Sequence, residues 1–130
     1  MSDSTSSRVL LVDSGADSGS LISVVLAREG CDVNWKARWD EAILSVKEAP
    51  PNLLIMDPAL LQLSALKSIR QARLIPGLEE IPILLILSKQ EAPNFPMDQI
   101  GPDQDFLIRP LQHRQLFKKF RKVLPERFSF

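Results

Sequence analysis

Apolar residues are distributed along the chain in two alternating rhythms. Arg8-Val-Leu-Leu-Val-Asp13, Asn52-Leu-Leu-Ile-Met-Asp57 and Ile81-Pro-Ile-Leu-Leu-Ile-Leu87 are short apolar runs without the polar alternation of a half-solvated sheet. Each predicts a strand buried on both faces, with Pro82 tolerated at the start of its run. Between them the apolar spacing turns helical: Leu21, Ile22, Val25 and Leu26 recur until Gly30, and Ala42, Ile43 and Val46 recur from Trp39 to Glu48, before Pro50-Pro51. Ser14, Asp17 or Ser18 is expected to cap the first of these helices. Leu60 to Leu74 predicts a third helix stopped by Pro76-Gly77. Cys31 to Trp35 and Asp105 to Ile108 read as further strands, and Leu111 to Leu124 as a last helix with Leu116, Phe117, Phe120, Val123 and Leu124 inward. Pro93 and Pro96 allow Glu91 to Ile100 a helical turn or two at most.

Strands alternating with helices over short connections imply βαβ crossovers, hence an α/β fold with a parallel sheet covered on both faces. In such sheets a site lies beyond the carboxyl ends of the strands, where strand order reverses. Asp13 and Asp57 both terminate strands. The 130 residues suffice for one domain, expected over 8–124, with a disordered N-terminal tail over 1–7 and a C-terminal tail over 125–130.

Composition narrows the chemistry. Sixteen basic and sixteen acidic residues cancel, which disfavours nucleic acid and anionic membrane as partners. No apolar run is long enough to cross a bilayer, and a cytoplasmic protein is expected. A single cysteine, Cys31, and a single histidine, His113, exclude an internal disulfide and a zinc or iron–sulfur centre. What remains is oxygen chemistry. Two carboxylates at neighbouring strand exits repel each other and are relieved by a divalent cation, with magnesium favoured by all-oxygen ligation. One of them could act as nucleophile toward a phosphoryl donor if a cation lay beyond the fifth strand, where Arg109 stands before Pro110.

With these residues in place, the chain resembles the receiver domain of bacterial two-component response regulators from Arg8 to Leu124. The matching segments are Val9-Leu-Leu-Val-Asp13, Glu29-Gly-Cys-Asp-Val33, Glu41-Ala-Ile-Leu44, Pro51-Asn-Leu-Leu-Ile-Met-Asp57, Ile81-Pro-Ile-Leu-Leu-Ile86 and Asp105-Phe-Leu-Ile-Arg-Pro110. The resemblance implies a flavodoxin-like (βα)5 fold with strand order 2-1-3-4-5. It also implies Asp57 as phosphoacceptor and Asp13, Asp57 and the Ala59 carbonyl as magnesium ligands. The implied partners are a histidine kinase or phosphotransfer protein and a downstream protein.

Departures from the family pattern point to an atypical, degenerate site. Ser14 stands where a second acid is usual, and reads either as a helix N-cap or as the holder of a water; loss of that charge implies magnesium binding weaker by ~10 to 100-fold. Arg109 replaces a lysine, keeping the charge but not its point-like geometry. The hydroxyl usual after the fourth strand falls on Leu87 in a gap-free reading and on Ser88 if the strand is one residue longer, and Ser88 is chosen on chemical grounds. The switch aromatic is Phe106, without a hydroxyl.

Blander readings stand beside these. Asp13 alone could be a capping acid and Arg109 a surface cation. The basic run of Arg114, Lys118, Lys119, Arg121 and Lys122 reads as a solvated helix face, or less directly as a match for an acidic partner. With no glycine-rich phosphate loop and no nucleophile paired with a base, the chain is expected not to be an enzyme. A phosphorylation-independent interaction module is the alternative function.

Overall fold

The computed structural model describes residues 7–124; the expected tails, Ser7 excepted, lie outside the described residues. Five strands, β1 (Arg8–Val12), β2 (Asp32–Lys36), β3 (Leu53–Met56), β4 (Ile83–Leu87) and β5 (Gln104–Ile108), form one parallel sheet in the order β2-β1-β3-β4-β5. Four helices accompany them: α1 (Ala16–Arg28), α2 (Trp39–Glu48), α3 (Ala65–Arg73) and α4 (His113–Val123). The parallel sheet covered on both faces agrees with the alternation of strands and helices, and its strand order with the flavodoxin-like doubly wound arrangement that the family resemblance implies.

Strand alternation divides the core in two. Val9, Leu11, Leu53, Ile55, Leu84, Ile86 and Leu107 face α1 and α4, meeting Ile22, Leu26, Leu116 and Phe120. Leu10, Val12, Leu54, Met56, Leu85 and Leu87 face the other way, onto Ala42 and Val46 of α2 and Ile69 and Ala72 of α3. Because the central strands are sealed on both sides, their sequences run apolar without a break.

Gly30, at φ 84°, ends α1: its amide bonds the Ala27 carbonyl while that of Cys31 reaches back to Leu26, the paired bonds of a left-handed helix stop. The third helix is shorter than its apolar spacing predicts. Pro58–Leu61 form a 3-10 turn, Gln62 adopts a left-handed φ of 54°, and Ser64 caps α3 by accepting from the Lys67 amide. Between β4 and β5, where two proline rings interrupt the chain, two 3-10 turns (Ala92–Asn94 and Met97–Gln99) stand in place of a helix. Phe95 from this segment is buried and packs on Phe106, with ring centroids 4.7 Å apart.

The basic run on α4 is only partly a solvated face. Asp105, 1% exposed on β5, accepts hydrogen bonds from Lys119 at 2.9 Å and Lys122 at 2.5 Å, tying helix to sheet. Burial pushes this carboxyl upward, but the hydrogen bonds from Lys122, Lys119 and the Phe106 amide outweigh it and hold the group below its ordinary range. Among the described residues no helix is long and apolar enough to cross a membrane.

Candidate functional site

At the carboxyl edge of the sheet, β1, β3 and β5 are each followed directly by a charged residue: Asp13, Asp57 and Arg109. The same parity that sends Leu11, Ile55 and Leu107 toward α1 and α4 carries these next-but-one residues to one side. They converge there. Arg109 Nη2 donates to Asp13 Oδ1 at 3.0 Å and to Asp57 Oδ2 at 2.8 Å, so two carboxylates far apart in sequence are aimed at a single nitrogen. Asp13 is wholly buried, Asp57 16% exposed and Arg109 33% exposed. Burial works against the guanidinium charge, but the hydrogen bonds from it to Asp13 and Asp57 prevail and raise Arg109 above its ordinary range.

The acids are further held by backbone. Asp13 Oδ1 accepts from the Gly15 amide at 3.0 Å, and Asp57 Oδ1 from the Ala59 amide at 2.9 Å across Pro58, which starts the 3-10 turn and lacks an amide of its own. The Ala59 carbonyl accepts from the Gln62 amide at 3.1 Å and keeps a second lone pair. The Arg109–Pro110 peptide is cis.

The helix cap differs from expectation. Gly15 is the N-cap of α1, with no side-chain cap bond, while Ser18 sits in the first turn and donates its hydroxyl to Asp13 Oδ2 instead. Ser18 Oγ also accepts from Arg109 Nη1 at 2.6 Å. Ser14 is exposed and outside this network. Ser88 lies just past β4; the register Leu87↔Ile108 makes it the neighbour of Arg109, whereas Leu87 is 1% exposed in the opposite core. The Ser88 hydroxyl accepts from the Glu91 amide and the Ser88 amide donates to the Glu91 carboxylate, a reciprocal cap that leaves the hydroxyl proton uncommitted among the bonds seen. Phe106 is half-buried between Phe95 and Lys119, whose Nζ lies 5.0 Å from the ring centroid.

Two contributors were not singled out from sequence as site residues. Ser18 was read only as a possible cap, and its contact with Arg109 spans 91 residues. Trp35 on β2 donates from Nε1 to the Asp13 carbonyl at 2.8 Å, and its ring lies so close over α1 that a Cβ at Gly19 would stand 2.0 Å from it. Trp35 is itself 38% exposed.

No family model matches the chain. It is 24% identical over 122 residues to the DNA-binding response regulator MtrA of Mycobacterium tuberculosis, covering 94% of the chain and 52% of that protein. To the phosphate regulon transcriptional regulatory protein PhoB of Rhizobium meliloti it is 27% identical over 104 residues, covering 80% and 46%. The chain thus spans about half the length of the curated relatives it matches. Among solved structures it superposes on chemotaxis response regulator CheY4 of Vibrio cholerae with a TM-score of 0.72 at 22% identity, covering 92% of this chain and 99% of that one. A putative response regulator from Chloroflexus aurantiacus gives 0.76 at 20% identity, covering 92% and 98%. The fold is that of a response-regulator receiver.

Sequence and fold similarity together support the receiver family, and with it one expectation is corrected. The chain was expected not to be an enzyme, but receiver domains of this family are catalytic, with magnesium-dependent phosphorylation and dephosphorylation of their own aspartate. The absence of a base beside a nucleophile does not exclude such chemistry, because an ionised carboxylate needs no base to become nucleophilic.

The residues fit a divalent cation. Asp13 Oδ1 and Asp57 Oδ2 share one cationic nitrogen, so both already face a common point, and with the Ala59 carbonyl the donors are all oxygen, as magnesium requires. Among the described residues no cluster of three or more His, Cys, Asp or Glu offers another metal site.

Proposed function

We propose that the chain is a receiver module in a two-component phosphorelay, in which Asp57 accepts a phosphoryl group from a histidine kinase or phosphotransfer protein and residues 8–124 pass the change to a downstream protein. The observation that carries this reading is the convergence of Asp13 and Asp57 on one nitrogen of Arg109. An Asp57 carboxylate oxygen attacks phosphorus as the bond from phosphorus to the donor's leaving atom breaks, giving an acyl phosphate. Arg109, already at Asp57, follows the added charge by donating to phosphoryl oxygens. Asp13, Asp57 and the Ala59 carbonyl would hold magnesium, which supplies charge neutralisation on the transferring oxygens.

The site is atypical in this proposal. With Ser14 in place of an acid, magnesium would be held by one carboxylate fewer, and Arg109 would meet the phosphoryl group as a planar fork. Ser88 keeps an O–H free to donate while its oxygen accepts from Glu91, which suits it to a phosphoryl oxygen. Phe106, packed on Phe95, is the aromatic through which a shift at the site would reach the surface. Similarity to response regulators, together with the paired acids, favours this function over a phosphorylation-independent module.

Incubation with magnesium and acetyl phosphate, followed by intact mass measurement, tests it. A single phosphate adduct in the wild type and none in Asp57→Asn is expected; no Asp57-dependent adduct at saturating magnesium overturns the reading.

A further inference from the structure

Ser18 has no part in the phosphoryl chemistry above, yet it closes a ring around the site. Arg109 Nη1 donates to Ser18 Oγ at 2.6 Å, Ser18 Oγ donates to Asp13 Oδ2, and Arg109 Nη2 returns to Asp13 Oδ1 at 3.0 Å while also reaching Asp57. The helix start is shaped around this ring. A Cβ at Gly15 would stand 3.0 Å from Ser18 Oγ and 3.3 Å from Arg109 Nη1, closer than side chains ordinarily approach.

We propose that Ser18 is a positioning residue that latches Arg109 across the two carboxylates, so that the arginine competes with a divalent cation for the same oxygens and Ser18 sets how strongly. The proposal rests on reading Asp13 and Asp57 as a cation site. The lone pairs of Asp13 Oδ1 and Asp57 Oδ2 that would hold a cation are directed at Nη2, and the second arm of the fork, on Ser18, resists withdrawal. A lysine has a single ammonium in place of the two-armed fork and could not use both anchors with the same geometry. Ser18 also occupies Asp13 Oδ2, so its hydroxyl restrains both partners at once.

Magnesium chloride titrated into the full chain, followed by calorimetry and, in a Trp39→Phe background, by the emission of Trp35, which is bonded to the Asp13 carbonyl, reads this competition without any phosphoryl transfer. Wild type, Ser18→Ala, Arg109→Lys and the double variant are compared, with amide chemical shifts establishing that each is folded. Each single change is expected to tighten magnesium binding by about five- to tenfold, the scale of one ordinary hydrogen bond. The double variant is expected to gain little beyond either single, since both changes release the same latch. Unchanged or weaker binding in folded Ser18→Ala, or fully additive gains in the double variant, overturns the latch while leaving the cation site standing. Failure of all four proteins to bind magnesium overturns the cation site and the latch with it.

Discussion

Asp13 and Asp105 are both sealed from solvent and both bonded to cationic side chains, but with opposite stoichiometry. At Asp105 one acid meets two lysines from a single helix, α4, so the local charge is more than balanced and the group serves to tie helix to strand. At the sheet's carboxyl edge two acids from different strands share one arginine, leaving a net negative charge. A site with more acid than base retains attraction for a further cation, whereas one with more base than acid is complete. This difference separates a candidate reaction site from a structural ion cluster even though each contains a buried aspartate.

The comparison breaks most readily at Asp105. Removing this carboxylate strands two lysines, but at 23% and 45% exposure they can turn toward water. Asp105→Asn is therefore expected to cost about 2–3 kcal/mol in urea unfolding, below the loss for a fully buried pair. Asp57→Asn, which removes one of two mutually repelling acids at the other site, is expected to change stability by less than about 1 kcal/mol. If the two variants were equally destabilised, the division into structural and reactive acids would fail.

Acid sharpens the same contrast. The Asp105 carboxyl is held below its ordinary value of 3.8 in the folded chain, so folding favours the ionised form. That contribution is fully present above the unfolded value and is lost as pH falls below about 3.8 toward the folded value. Stability of the wild type should fall more steeply across this window than that of Asp105→Asn, read from urea midpoints at stepped pH.

The support of the anionic edge is tested at Gly19, where a methyl group would lie 2.0 Å from Trp35 Cζ2. Displacing the ring costs about 1–3 kcal/mol by overpacking, against a gain of about 1 kcal/mol in helix propensity. Gly19→Ala should lose about 1 kcal/mol net and, in a Trp39→Phe background, shift Trp35 emission as its bond to the Asp13 carbonyl breaks. Unchanged emission would show that β2 does not brace the loop.

How much of this was legible in the sequence follows from the range of the interactions. Val12-Asp13 and Met56-Asp57 announce an acid at the exit of a buried strand because both core burial and chain direction are written locally, and Arg109 before Pro110 completes the set. The parallel α/β layering and the three converging charges were readable on that basis, while the order of the strands came from the family resemblance. Leu60–Leu74 misled because apolar spacing is blind to the left-handed Gln62 that interrupts the helix. Ser18 and Trp35 escaped because their partners are brought to them only by the assembled sheet, and a serine in a first helical turn ordinarily reads as a cap. The basic run on α4 misled for the same reason: nothing in its composition shows that Lys119 and Lys122 turn inward to Asp105 while neighbouring cations stay outside.

Those two lysines give the finest test of what holds a buried acid. Lys122 makes the shorter contact, 2.5 Å against 2.9 Å, but is 45% exposed, while Lys119 is 23% exposed and lies over the Phe106 ring. Solvent screening weakens an ion pair more than a few tenths of an ångström strengthen it, and the aromatic face adds attraction only at Lys119. Lys119→Ala should therefore cost about 1 kcal/mol in urea unfolding and Lys122→Ala about half as much. The reverse order would mean that contact length rather than desolvation governs the cluster. The stoichiometric reading of Asp105 would then rest on Lys122 alone, a one-to-one pair much closer in kind to the acids that share Arg109.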